Sequence, residues 1–338
     1  MEDVARRAGV SIATVSRTLR DQANVAEETR RRVLRAAEEL SYVVSPIASR
    51  LATGRTGAVG VVIPYASRWY FGQVIAGAES VLRDCGLDLL LYNVGDQAAR
   101  KRFFERQPLR RRVDAVLAVA MPFTDSELST LHGLGVPMTV VGFDSPGIPS
   151  VRINEAATID RAMQHLFDLG HRRIAMISTY ADQNVWLPVA HQRRTAYLAA
   201  LAEAGVEPDP QLVISVPFSV GNGERATAAL LALEDPPTAI FAESDELAFG
   251  ALTALRRAGI GVPESVSVLG VDDHDVSQLL DLTTMRQLVF QQGSLAAKIL
   301  AKALGIDCVA PEPDTESGTV LVPTTLIIRG STGPAPHG

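Results

Sequence analysis

The chain has 338 residues, of which 47% are hydrophobic and 21% charged, so it is long enough for two or three folded domains and is neither disordered nor fibrous. Its net charge is −6, yet residues 1–57 carry ten arginines against seven acidic residues, an arrangement common where one end approaches phosphates, although chance could also produce it in the absence of a motif. No apolar run approaches the ~20 residues that cross a bilayer, and no export signal is recognisable. We therefore expect a cytoplasmic protein without membrane contact. Cys85 and Cys308 lie outside any metal-binding motif and are predicted to be buried thiols.

The first part of the chain predicts short helices. Apolar residues at helical spacing precede Gly9, and a second helical run begins after the capping residue Ser11. A third helix is predicted over 27–40, with acidic residues leading and arginines on its exposed face. Ser45 as a capping residue and Pro46 at the first helical position predict a brief hinge helix over 46–53 that is marginal in isolation.

From residue 58 onward, short apolar strands alternate with helical stretches such as 72–85, 193–204 and 246–258. The predicted strands cover 58–64, 88–92, 114–120 and 138–142, and then 173–178, 212–216, 239–242 and 266–270. This alternation predicts an α/β body of two lobes with parallel sheets, which bind ligands in the crevice beyond the carboxyl ends of their strands. The predicted domains are a helix-turn-helix over 1–44, a hinge over 45–57, a two-lobed body over 58–332 and a flexible tail over 333–338.

Short motifs in a fixed order carry a resemblance over nearly the whole chain. They are Asp3–Ser11, Ala13–Arg17, Glu27–Arg30, Leu40–Tyr42, Ala48–Leu51, Leu169–His171, Ser244–Ala248, Val268–Asp273, Leu282–Gln287 and Val322–Thr324. In these motifs the chain resembles the lactose-repressor family of bacterial transcription regulators. The resemblance implies a helix-turn-helix headpiece, a body like periplasmic sugar-binding proteins, and a homodimer on double-stranded, pseudo-palindromic operator DNA. It implies a small sugar-like effector, no cofactor and no metal.

The same resemblance assigns the DNA contacts. They are Ser11, Ile12, Ala13, Thr14, Ser16 and Arg17, with Ile12 and Ala13 discriminating bases and Arg17 reading a base edge. Apolar discriminating residues favour thymine methyls or DNA shape, although Ile12 could instead be a buried helix residue. Leu51 matches the hinge leucine that wedges into the minor groove, while Ala52 replaces a lysine common in the family.

Effector contacts are assigned by resemblance as well. Tyr70, Phe71 and Phe218 would contact a ring, and Arg193, Ser244, Asp245, Asp272 and Gln287 would bind polar groups. Alternatives stay open, since Arg193 could be a solvated helix residue and the aromatic pair could belong to the core. Arg68 and Trp69 replace an asparagine and a proline common in the family, and Trp186 adds aromatic area, which favours a ring-bearing ligand.

Two other classes of function, an enzyme and a sugar-binding transport protein, fit the sequence less well than a regulator does. An enzyme is disfavoured because the chain shows no phosphate-binding glycine motif and no catalytic triad order; His171 more plausibly orders the loop before a strand. A sugar-binding transport protein is disfavoured by residues 1–57 and by the lack of an export signal. Family members usually carry a threonine and an apolar residue before the first helix, so we expect either further residues upstream of Met1 or a partial cap by Asp3.

Overall fold

The computed structural model describes residues 1–19, 25–40, 55–179, 188–307 and 318–336, which fall into two compact units, 1–57 and 58–338. The first unit contains helices α1 (Glu2–Ala8), α2 (Ile12–Leu19) and α3 (Glu27–Glu39). The turn between α1 and α2 is possible because Gly9 adopts a left-handed conformation with φ of 65°. The predicted hinge helix over 46–53 and Leu51 lie outside the described residues.

A small apolar core holds the three helices of the first unit together. It contains Val4, Ala5, Ala8, Val15, Val33, Ala36 and Ala37. The Arg32 guanidinium in α3 donates to the carbonyl oxygen of Ala8, at 2.6 Å from Nη2 and 3.2 Å from Nε, which ties α3 to the end of α1. This side chain therefore satisfies a carbonyl that the end of α1 leaves without a helical partner.

The first lobe of the second unit is a sheet with helices on both faces. Its elements are β1 (Ala58–Ile63), α4 (Trp69–Asp84), β2 (Asp88–Asn93), α5 (Gln97–Arg106), β3 (Ala115–Val119), α6 (Asp125–His132), β4 (Met138–Val141) and β5 (Ser150–Arg152). The strand order is β11-β5-β4-β3-β1-β2, all parallel, where β11 is Thr319–Leu321 from late in the chain. Because β1, β3 and β4 are buried along their whole length, they read as continuous apolar runs.

The second lobe repeats this architecture. Its elements are α7 (Glu155–Asp168), β6 (Ile174–Thr179), α8 (Pro188–Glu203), β7 (Val213–Val216), α9 (Val220–Leu231), β8 (Ala239–Ala242), α10 (Asp245–Ala258), β9 (Ser267–Asp272), β10 (Thr283–Gln287) and β12 (Thr324–Ile327). The strand order is β12-β10-β9-β8-β6-β7, and only the pair β10–β12 is antiparallel. The predicted α/β class and both sheets are confirmed, and the eight predicted strands agree with β1–β4 and β6–β9 within one or two residues. Short or atypical strands β5, β10, β11 and β12 were not predicted.

Helix α11 (Val289–Ala303) returns the chain to the first lobe and packs tightly on α4. A Cβ at Gly77 would overlap the carbonyl oxygen of Phe290, and one at Gly293 would overlap that of Val74. Each glycine thus lies against the backbone of the other helix, which permits the close approach of α4 and α11. The chain also crosses between the lobes near Asn154 and near Pro323.

Two expectations about the body are corrected. Residues 333–338 were predicted to form a flexible tail, but the Gly333 amide donates to Ser267 Oγ (3.0 Å) and the Ala335 amide to the Leu169 carbonyl oxygen (2.8 Å). The described part of the tail, through residue 336, is therefore bound to the second lobe. Cys85 is only half-buried, since it ends α4 at the surface, and Cys308 lies outside the described residues. Within the described ranges, no helix combines the length and the apolar character needed to span a membrane.

Candidate functional site: a cleft between the lobes and the α2 surface

A cavity of about 140 Å³ lies between the two lobes. Its walls come from the segments that follow the carboxyl ends of the strands, where open parallel sheets place ligand-binding groups. The first lobe contributes Arg68, Trp69, Tyr70, Phe71, Ala120, Pro122, Gly142, Phe143 and Ile153. The second lobe contributes Glu155, Thr179, Pro188, Val189, Ala190, Arg193, Phe218, Glu243, Ser244, Glu246, Asp272 and Gln287, and α11 adds Gln292.

Arg193 is the buried cation of this cleft. Its Nε donates to Glu155 Oε2 at 2.7 Å, its Nη2 donates to Glu155 Oε1 at 3.1 Å, and its Nη1 donates to the Glu243 carbonyl oxygen. Burial alone would lower the pKa of Arg193, but the Glu155 carboxylate raises it above its ordinary value. A guanidinium has five N–H groups, and three of them are used in these contacts. Arg193 is therefore not a solvated surface residue.

Asp272 faces Arg193 at the end of β9, with φ of 132°, a backbone conformation that side chains rarely adopt. Its Oδ1 accepts a hydrogen bond from Gln287 Nε2 at 2.7 Å. Burial raises the pKa of the Asp272 carboxyl well above its usual range, although the Arg193 charge opposes this shift. A strained, desolvated carboxyl at the cleft is characteristic of a functional position.

A chain of side-chain hydrogen bonds runs from Asp272 to the first lobe. Gln287 Oε1 accepts from Gln292 Nε2 at 3.3 Å, and Gln292 Oε1 accepts from Tyr70 Oη at 3.5 Å. Tyr70 fits because Gly142 lacks a side chain, since a Cβ there would lie 2.9 Å from Tyr70 Oη. The cleft thus presents hydroxyl, amide and carboxyl groups from both lobes.

Glu243 forms part of the floor of the cleft in the second lobe. Its Oε2 accepts from Ser178 Oγ at 2.6 Å, and its Oε1 accepts from the amide and the hydroxyl of Thr179. Burial raises the pKa of this carboxyl, against the opposing effect of the serine and threonine hydrogen bonds. Because both of its oxygens are occupied within the protein, Glu243 shapes the cleft and fixes its electrostatics.

Two side chains at the start of α4 join the two lobes beside the cleft. The Arg68 guanidinium lies 4.2 Å from the ring centroids of both Tyr65 and Phe218, so it is stacked between the lobes. Trp69 Nε1 donates to Asp275 Oδ2 at 3.0 Å, and the Trp69 ring lies 4.9 Å from the His274 ring. The lobes are therefore bridged on both sides of this turn.

The structure brings together seven of the eight residues assigned to the effector. Tyr70, Phe71, Arg193, Phe218, Ser244, Asp272 and Gln287 all line the cavity, with Phe71 also part of the first-lobe core. Asp245 does not. Its carboxylate accepts from Ser277 Oγ, Thr284 Oγ1 and the His274 amide, so it anchors the loop after β9. Trp186 lies outside the described residues.

Glu155, Glu243 and Gln292 belong to the cleft but were missed in the sequence. Glu243 follows β8 directly, so the rule that ligand groups lie at strand ends could have found it. The sequence signal for Gln292 is absent, because this residue is distant along the chain from Tyr70 and meets it only through the packing of α11 on α4. In the described ranges, no cluster of His, Cys, Asp and Glu has the geometry of a metal site.

The exposed surface of α2 carries the residues assigned to DNA. Ser11, Ile12, Ala13 and Arg17 are exposed and Thr14 and Ser16 half-exposed, whereas Val15 and Thr18 are buried. Ile12 is 47% exposed, so the alternative that it belongs to the core does not hold. Ser11 Oγ accepts from the Thr14 amide at 3.2 Å and so caps the start of α2, which leaves Ile12, Ala13 and Arg17 on the exposed surface of the helix.

Comparisons with known proteins agree with this geometry. Residues 1–45 match the family described as "Bacterial regulatory proteins, lacI family", and residues 163–332 match the "Periplasmic binding protein-like domain". The HTH-type transcriptional repressor CytR of Escherichia coli (strain K12) is 32% identical over 99% of this chain and 97% of its own length. The lac repressor dimer bound to operator and the anti-inducer ONPF superposes with a TM-score of 0.85 at 25% identity, covering 98% of both chains. The complex of the regulator CelR with cellobiose gives 0.70 at 28% identity, with the same coverage.

A helix-turn-helix unit followed by a two-lobed ligand-binding body defines a ligand-responsive transcriptional regulator. The chain belongs to the lacI family of bacterial regulatory proteins.

Proposed function

We propose that the chain binds a pseudo-palindromic operator as a homodimer and that a sugar-like effector in the cleft sets its operator affinity. The observation that carries this proposal is the cleft itself, where Arg193, Asp272 and Gln287 from one lobe face Tyr70 from the other. Polar side chains that converge on a concave cavity are the usual form of a small-molecule site. The sugar-bound CelR complex supports the effector class.

The DNA contacts in this proposal are Ser11, Ile12, Ala13, Thr14, Ser16 and Arg17 on α2, together with Leu51 as the minor-groove wedge. Exposed Ile12 and Ala13 suit contact with thymine methyls, and exposed Arg17 suits a guanine edge. A single headpiece reads one half-site, so a dimer is needed to read two. The lac repressor dimer on its operator supports this assembly.

We propose further that the regulator has no enzymatic activity and acts in the cytoplasm. The buried carboxyls of Glu155 and Glu243 are used in fixed hydrogen bonds to Arg193, Ser178 and Thr179. A sugar-binding role without DNA binding is the alternative, and α2 argues against it.

The test begins with the full chain and a pool of random double-stranded DNA. Selection should enrich a two-fold symmetric sequence, and binding measured by fluorescence anisotropy should weaken steeply with salt because phosphate contacts release counterions. A thermal-shift screen of sugars should then find a compound that raises the melting temperature and changes operator affinity. DNA binding that is insensitive to salt and has no sequence preference would refute the function as a regulator. A sugar that binds without any effect on DNA affinity would leave only the sugar-binding role.

A further inference from the structure

A group of basic residues lies in the first lobe of a body that is otherwise acidic. Residues 58–338 carry twenty-two basic residues against thirty-one acidic ones, yet the stretch 100–112 contains seven arginines and lysines and a single acidic residue, Glu105. Two of the seven form ion pairs, Arg100 with Glu127 at 2.7 Å and Lys101 with Glu105 at 3.8 Å. The other five are exposed, and their side chains make no hydrogen bond or ion pair with any residue that the structure describes. We call them the arginine patch, which consists of Arg102, Arg106, Arg110, Arg111 and Arg112.

Packing against β1 fixes the turn that carries three of these arginines. Leu109 and Val113, which flank 110–112, are only 2% and 4% exposed. They occupy the space that Gly60 of β1 leaves open, since a Cβ at Gly60 would lie 2.6 Å from Leu109 Cδ2 and 3.2 Å from Val113 Cγ1. Arg111 has φ of 58°, a left-handed conformation that is uncommon for residues other than glycine. The turn thus buries its apolar ends and holds three consecutive arginines at the surface.

The patch lies at the end of the first lobe that is opposite to the cleft. The turn precedes β3, and the Asp114 amide donates to the Ala58 carbonyl oxygen at 2.7 Å, so the turn lies beside the residue at which the chain enters the body. The strands of this sheet are parallel, so their amino ends share one edge, whereas the cleft lies beyond their carboxyl ends. Three acidic residues lie at the same edge, namely Asp84, Asp88 and Asp114. They are fewer than the five arginines, so positive charge is in excess there.

Duplex DNA is the polyanion that this position favours. The headpiece precedes Ala58 in the chain, so DNA bound by the headpiece is tethered to this end of the lobe and is present there at a high effective concentration. Arg102 and Arg106 are one helical turn apart on the same face of α5, directly before the turn. Guanidinium groups suit phosphates because each can donate two parallel N–H groups to one phosphate.

We propose that the arginine patch binds the phosphate backbone of the operator duplex, in addition to the contacts of α2. The inference rests on the proposed function, since it takes the headpiece to bind an operator. It adds a phosphate-binding surface on the body, which contributes affinity and salt dependence without sequence preference.

Operator binding by the full chain, measured by fluorescence anisotropy over a range of salt concentrations, tests this inference. The probe is the duplex obtained by selection, with flanks of random sequence. In the variant Arg110→Gln/Arg111→Gln/Arg112→Gln, the slope of log affinity against log salt should become shallower by about 1.8, because one phosphate contact per protomer gives two per dimer and each contributes about 0.9. Affinity at about 0.1 M salt should fall at least about tenfold. The ratio of the affinities for operator and random DNA should stay within about twofold, because phosphates carry no sequence information.

A matched control removes the same charge elsewhere in the body. Arg161→Gln/Arg194→Gln/Arg256→Gln changes three exposed arginines of the second lobe that form no ion pair with a described residue, and it should keep the slope of wild type. The variant Arg110→Lys/Arg111→Lys/Arg112→Lys retains the charges and should also keep that slope. If thermal melting shows that the glutamine variant of the turn is poorly folded, Arg102→Gln/Arg106→Gln on α5 leaves the turn intact and should make the slope shallower in the same direction.

The outcomes separate this inference from the proposed function. If wild type selects an operator but the patch variants keep its slope and affinity, or the second-lobe control lowers both equally, the patch does not bind DNA phosphates and the proposed function stands. Wild-type DNA binding that is insensitive to salt and without sequence preference overturns both. A shallower slope for the patch variants alone, restored by lysine, supports the phosphate contact.

Discussion

The ion pair between Arg193 and Glu155 gives the sharpest quantitative prediction. The two side chains are only 7% and 12% exposed, so little water can stabilise either charge alone. Replacing one partner of a buried pair costs about 3 to 5 kcal/mol, because the other charge stays buried and unpaired. Arg193→Met should reach that range, since it isolates Glu155 and also deprives the Glu243 carbonyl oxygen of its donor.

The double variant Arg193→Met/Glu155→Gln removes both charges and should be more stable than the sum of the single effects predicts. We expect a coupling of at least about 2 kcal/mol, since exchanging a whole buried pair for uncharged residues is often close to neutral. Arg83→Met provides the matched control. It breaks the ion pair between Arg83 and Glu79, whose side chains are 66% and 43% exposed, and should lower the free energy of unfolding by less than about 1 kcal/mol.

Urea unfolding followed by tryptophan fluorescence measures these values. Both tryptophans, Trp69 and Trp186, belong to the second unit, so the signal reports the body without a contribution from the headpiece. Single effects that add to within about 0.5 kcal/mol in the double variant would show that the pair is not coupled, and the electrostatic account of the cleft would be wrong.

Four further predictions concern DNA, the hinge and pH. Arg17→Ala should weaken operator binding by roughly 1 to 3 kcal/mol and leave random DNA nearly unaffected; equal losses in anisotropy titrations would reassign it to phosphate. Leu51→Ala should abolish the operator bend, and an unaltered angle in a circular-permutation gel would exclude the wedge. Burial raises the pKa of Asp272, so the folded state binds more protons and stability falls as pH rises from about 4 through the folded pKa. Asp272→Asn should flatten that decline in pH-dependent urea unfolding and abolish effector binding in calorimetry. An unchanged slope or an unchanged affinity would contradict this prediction. Burial lowers the pKa of His171, so the stability that this residue contributes is fully present above about pH 6.5 and is lost as pH falls through the folded pKa. If the neutral histidine holds the end of the chain, His171→Asn should weaken this loss of stability at low pH.

The prediction for His171 follows from its contacts. Its Nδ1 pairs with Thr238 Oγ1 at 2.9 Å, and its Nε2 lies 3.0 Å from both Ser267 Oγ and the Gly333 carbonyl oxygen. The sequence suggested that this histidine orders the loop before a strand, and the structure adds that it holds the end of the chain. The Gly, Pro and Ser residues there resemble a disordered tail in composition, but their backbone groups are bonded to β9 and to the end of α7.

Long apolar strands could be predicted from the sequence because they are buried on both faces. The strands β5 and β11 have three residues each, so they carry too little pattern to be recognised, and β11 pairs with β5 from a distant part of the chain. The cleft was predictable where its residues follow a strand, as Asp272 does. Asp245 also lies shortly after a strand and was therefore assigned to the effector. Its place in the first turn of α10 is equally suited to a structural anchor, which is the role the structure gives it.

The Asp245 anchor also supports the Trp69 contact between the two lobes. Asp245 holds the loop that carries His274 and Asp275, so the second-lobe side of the Trp69 contact is fixed to α10 and β10. On the first-lobe side, α4 is held by the interlocked glycines of α4 and α11. We expect any change in the angle between the lobes to be taken up in the short crossings near Asn154, Leu288 and Pro323. An effector that bridged Arg193 and Tyr70 would therefore act on the same angle between the lobes as the Arg68 and Trp69 contacts do.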